Sequence, residues 1–135
     1  MLRMLFALVA LVLITGFSEP DRYAAGQVWE YRTRPADTGS LLKIQRVDQD
    51  ANLGPIYHIS VIGLSLRSQK MDPVLSHTPV SRETLDASVT RLSTKPSTFP
   101  DPSEGIAQWR SAGGGVFTIT VAEIVEFVDQ QTSGE

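Results

Sequence analysis

The chain has 135 residues, a net charge of −3, 41% hydrophobic residues and no cysteine. The missing thiols exclude disulfide scaffolds, thiol catalysis, zinc ribbons and iron–sulfur ligation. Mild acidity argues against nucleic acid or an anionic membrane surface as a main partner.

The first eighteen residues have the anatomy of a secretory signal peptide. Arg3 supplies a short positive region, Met4 to Ile14 is unbroken apolar sequence, and Gly16 and Ser18 are the small residues before a cut at Glu19. The apolar run is shorter than the roughly 20 residues a membrane span needs, so no stable span is expected after cleavage. With no cysteine behind the run there is no lipoprotein anchor. The expected organisation is a signal peptide over 1–18 and a single domain over 19–135, exported to the periplasm or secreted.

The domain begins with strand patterns. Gly26 to Thr33 alternates, with Trp29 and Tyr31 on one face and Val28, Glu30 and Arg32 on the other. Pro35, Asp37 and Gly39 mark a turn. Leu41 to Val47 puts Leu42 and Ile44 opposite Lys43 and Gln45, and turn formers fill Asp48 to Pro55. Ile56 to Leu66 is the most β-branched stretch, with Tyr57, Ile59 and Val61 opposite Ile56, His58, Ser60 and Ile62. Both faces are largely apolar, which predicts a central strand. Arg67 to Thr78 reads as a crossing loop.

The period then changes. Ser81 is placed to N-cap a helix, with Val80 and Leu85 as its hydrophobic staple and Leu85, Val89 and Leu92 as its buried stripe. Pro96, Pro100 and Pro102 end it. Asp101-Pro102-Ser103-Glu104 starts a second helix anchored by Ile106 and Trp109 and stopped by Gly113 to Gly115. Val116 to Ile119 predicts a short strand. Thr120-Val121-Ala122-Glu123 is a capping box for a last helix that buries Ile124, Val125 and Val128. The order β-β-β-α-α-β-α predicts an α+β domain: an antiparallel sheet of about four strands with helices packed on one face. A half-open barrel is the alternative.

Two histidines bound the acid–base chemistry. His58 reads as a hydrogen-bonded strand histidine. His77 lies in a loop before Pro79, four residues before Ser81, and a hydrolytic arrangement would use Ser81 as nucleophile, His77 as base and Glu83 or Asp86 as orienter. The competing reading gives Ser81 the cap, Glu83 the helix dipole and Asp86 a solvated face, and no nucleophile-elbow motif supports the triad. Catalytic residues are therefore not assigned. No metal or cofactor is expected either: Asp48-Gln49-Asp50-Ala51-Asn52 lacks the glycine and glutamate of a calcium loop, and the Gly113 to Gly115 run lacks the lysine of a phosphate loop. In the first hairpin Trp29 and Tyr31 stand beside Arg32, Arg34, Lys43 and Arg46. Period-two geometry sends the aromatics to the core and the arginines outward. Arg32, Arg34 and His77, with the loop Arg67 to Val80, are the candidate binding surface.

Four segments carry a family resemblance. They are GQVWEYRTRP at Gly26–Pro35, LLKIQRV with IYHISVIG, HTPVSRETLDASVTRL at His77–Leu92, and GGVFTITVAEIVEFV near the end. In these the chain resembles an uncharacterised family of small bacterial proteins, which implies a shared fold and no particular activity. The functional expectation is a non-catalytic binding domain for another protein or a small ligand in the bacterial envelope. The alternatives are a small hydrolase centred on His77 and Ser81, or an inhibitor or immunity protein.

Overall fold

Short polar connections close the first strands into hairpins, and the sheet grows outward from them. The computed structural model describes residues 21–71 and 73–133, so the signal-peptide reading of 1–18 lies outside the described residues. The strands are β1 (Val28–Tyr31), β2 (Leu41–Asp50), β3 (Gly54–Ile62), β4 (Leu75–Val80) and β5 (Val89–Leu92). The helices are α1 (Arg82–Ser88), α2 (Ser103–Ser111) and α3 (Val121–Ser133). The fold is α+β with one antiparallel sheet in the order β4-β3-β2-β1-β5. Among the described residues no helix is long and apolar enough to cross a membrane.

The sheet has five strands rather than about four, and two segments exchange roles. Residues 75–80, expected within a loop, form β4 on the edge beside β3. Pro79 is tolerated there because an edge strand need not donate from every position. Val116 to Ile119, expected as a strand, makes one parallel bridge from Phe117 to Val80. Phe117 exchanges backbone bonds with Pro79 and Ser81, both at 3.0 Å, and the Thr84 hydroxyl shares its proton between the Phe117 and Ile119 carbonyls at 3.0 and 2.7 Å, which ties that segment to α1 beyond the single bridge.

Ser81 caps α1 as its position predicts: its hydroxyl accepts from Thr84 N–H at 3.2 Å. The helix stops at Ser88, however. The β-branched pair Val89-Thr90 starts β5, which pairs with β1, so Leu85, Val89 and Leu92 are not one helical stripe. Leu85 and Val89 are still buried, while Leu92 is half exposed on the sheet edge. The capping box of α3 forms in full: Thr120 N–H donates to Glu123 Oε1 at 3.0 Å and Glu123 N–H donates to Thr120 Oγ1 at 3.1 Å.

The core lies on one face of the sheet. Trp29, Tyr31, Leu42, Ile44, Tyr57, Ile59 and Val61 point into it, and Leu85 of α1 with Val121, Ile124 and Val125 of α3 close it. Alternation sends Lys43, His58 and Ser60 to the other face. That face has a helix of its own, so the helices do not all pack on one side. The chain after β5 returns across it: the Pro100 carbonyl accepts from Gln45 Nε2 at 3.1 Å, and the Lys43 ammonium sits 6.0 Å from the centre of the Phe99 ring. This return delivers α2 onto β3 and β4, where the Trp109 ring meets His58.

Candidate functional site

Beneath α2 lies a chain of three titratable side chains from three neighbouring strands. His58 Nε2 is 2.9 Å from Asp48 Oδ2, and His58 Nδ1 is 2.8 Å from His77 Nε2. A register shift between Ile44 and Arg46 makes this possible. Simple alternation would place Asp48 on the core face with Leu42 and Ile44. The extra residue turns Arg46 and Asp48 to the face of His58 and gives Val47 the place opposite Tyr57.

Electrostatics fixes the direction of the chain. Against the effect of burial, hydrogen bonds from Arg46 and His58 hold the Asp48 carboxyl below the usual carboxylate range. Arg46 Nε lies 3.0 Å and Arg110 Nη2 3.5 Å from that carboxylate. An ionised Asp48 only accepts, so His58 donates through Nε2–H, its Nδ1 is bare, and His77 donates through Nε2–H. His58 is fully buried, and burial disfavours its imidazolium, lowering its pKa despite Asp48. Burial and the neighbouring His58 push His77 down to about 4. At neutral pH both rings are uncharged.

α2 closes over these rings. Trp109 meets His58 edge-on with centroids 4.8 Å apart, and its indole N–H donates to the Gly115 carbonyl at 2.8 Å. Gly105 faces His77 so closely that a Cβ there would stand 2.6 Å from His77 Cβ. Beside the cluster, the C-terminal end of α2 and the β2–β3 turn enclose an open groove of about 520 Å³. Asp50, Asn52, Leu53, Trp109, Arg110 and Gly113 to Gly115 line it. A Cβ at Gly114 would stand 2.3 Å from the Trp109 ring, so only a glycine there leaves room for the indole.

The residues singled out from the sequence are dispersed. Ser81 caps α1, His77 pairs with His58, and Asp86 accepts from the Tyr23 hydroxyl at 2.6 Å. Glu83 is exposed in the first turn of α1. The His77–Ser81 hydrolytic arrangement is therefore not assembled. Arg34 is not an exposed arginine either. Its guanidinium makes a bidentate pair with Asp37 at 2.7 and 3.1 Å, reaches Glu126 at 3.2 Å and Asp129 at 3.1 Å, and donates to the Ser65 carbonyl at 2.9 Å. It ties α3 to the β1–β2 connection. Arg32 is exposed and donates to the Ala87 carbonyl at 3.1 Å, on the β5 side of the sheet. His77 is on β4, at the opposite edge, so Arg32 and His77 do not share a surface.

Sequence reasoning missed Asp48, Trp109 and the groove. A local signal for Asp48 existed in the hairpin that sets residues 46 to 48 opposite residues 56 to 58, but the register shift hid which face they share. No metal-binding cluster of three or more His, Cys, Asp or Glu occurs among the described residues. Comparison of the chain with protein-family models, with curated proteins and with solved structures gives no match.

Proposed function

We propose that this is a non-catalytic binding domain of the bacterial envelope, exported by residues 1–18, which holds a segment of another protein in the groove between the β2–β3 turn and the end of α2. The observation that carries the reading is the lining of that groove: Leu53, 44% exposed at the turn, stands with the half-buried Trp109 and with Arg110. Tryptophan and arginine in a partly desolvated depression are the residue types that dominate protein interfaces. An apolar side chain of the partner fits against Leu53 and Trp109, and a carboxylate beside it complements Arg110.

The apolar Met4 to Ile14 run behind Arg3 supports export. The test is affinity capture from envelope extracts with wild type and Leu53→Asp side by side. Leu53 is on an exposed turn whose shape comes from Asp50 accepting the Asn52 and Leu53 N–H groups at 2.8 and 3.0 Å, so the substitution leaves the fold intact. A partner retained by wild type and lost by Leu53→Asp supports the groove. A partner retained equally by both refutes it.

A further inference from the structure

The Asp48–His58–His77 chain has a property that neither ring has alone. In its neutral form each hydrogen bond contains one proton, and His77 Nδ1 is the bare end. A proton arriving there is accommodated by a shift along the chain: it binds His77 Nδ1, the Nε2 proton of His77 moves to His58 Nδ1, and the charge comes to rest on His58 beside the Asp48 carboxylate. Both hydrogen bonds survive, now running from His58 to Asp48 and from His58 to His77. A second proton on the ring pair has no such route. It must bind His77 Nε2, which sets two N–H groups against each other across 2.8 Å. The two rings then part.

The neighbours of the pair reinforce this limit. On β2 the charged groups are Asp48 and Arg46; on α2 there is Arg110; on β4 there is His77 itself. Arg46 and Arg110 both disfavour positive charge on His58, and only Asp48 favours it. The rings are also the floor on which α2 rests, through Trp109 on His58 and Gly105 on His77. The core faces the other side of the sheet, where α1 and α3 cover it.

We propose that the Asp48–His58–His77 chain is an acid-sensitive latch, which holds α2 on the sheet while the histidine pair carries at most one added proton and releases it when both rings are charged. The release is local, because the cluster of side chains between the sheet, α1 and α3 includes none from α2, whose buried Ile106 lies outside it. The titration is a property of the pair, so it proceeds in two separated steps.

The chain's only two histidines make the test direct. NMR on the protein purified from cells expressing the full sequence follows both imidazoles and the backbone amides as pH is lowered. The latch predicts two separated imidazole steps, with the amides of Ser103–Ser111 losing exchange protection in the second step while those of β2 and β3 keep it. Independent titration of both rings near 6.5, α2 protection that persists through the second step, or simultaneous loss from α2 and the sheet would each overturn it. His77→Gln supplies a second test, since an amide still donates to His58 Nδ1 and takes up no proton. α2 is then expected to stay protected through the same pH range, and release at the unchanged pH refutes the latch.

Discussion

Replacing Gly105 with alanine separates two physical expectations that differ in sign. Gly105 is in the first turns of α2, and on helix propensity alone Gly→Ala stabilises by up to about 1 kcal/mol. In this fold the new methyl would stand 2.6 Å from His77 Cβ and 3.1 Å from Cγ and Nδ1. Carbon atoms in contact prefer about 3.5 to 4.0 Å, so helix and strand must separate by about an ångström at their closest point. His77 Cβ is fixed to the β4 backbone and has no rotamer that removes it. Overpacking of this kind costs about 1 to 3 kcal/mol, which at its midpoint outweighs the propensity gain and leaves a net loss of about 1 kcal/mol. Urea denaturation of wild type and Gly105→Ala reads the difference directly. An alanine variant as stable as wild type, or more stable, would refute the packing of α2 on His77.

Four further outcomes rest on other contacts of the fold. Arg34→Leu leaves Asp37, only 1% exposed, without its bidentate partner, and is expected to cost about 3 to 5 kcal/mol in thermal or urea denaturation; Arg32→Ala, at an exposed site, is expected to change stability by less than about 0.5 kcal/mol. Ser81→Ala removes the hydroxyl that accepts from Thr84 N–H and is expected to cost about 1 kcal/mol in the same assay. His77 is held at about 4 in the folded state against 6.5 when unfolded, so the unfolded chain binds more protons between those values. Stability therefore falls as pH is lowered from 6.5 toward 4, by about 2 kcal/mol from His77 once the ring's partial exposure is allowed for, and His77→Gln is expected to reduce that fall and leave the part contributed by the likewise lowered His58.

Local chemistry was the most legible part of the sequence. The Thr120–Glu123 box, the Ser81 cap and the start of α2 near Pro102 are each written in a few adjacent residues, and each is present. The first three strands and the buried positions of Trp29 and Tyr31 followed from alternation. The errors arose where a local pattern was compatible with two states. Leu85, Val89 and Leu92 have helical spacing, yet β1 offers Val89 to Leu92 a pairing edge that the helix does not. Leu75 to Val80 carries Pro79 and polar residues, and becomes a strand only because β3 is alongside. The candidate site is non-local in the same sense. Asp48, His58, His77 and Trp109 belong to four elements, and a register shift of one residue decides that the first two face each other.

The central functional claim is that the surface between the β2–β3 turn and α2 receives a partner. Site-specific photo-crosslinking tests it most directly, with the reactive residue placed at position 53 in one variant and at position 32, on the β5 side of the sheet, in another. A discrete crosslinked partner is expected from position 53 and none from position 32. Crosslinking from position 32, with none from position 53, would contradict it and return the binding surface to the arginine hairpin.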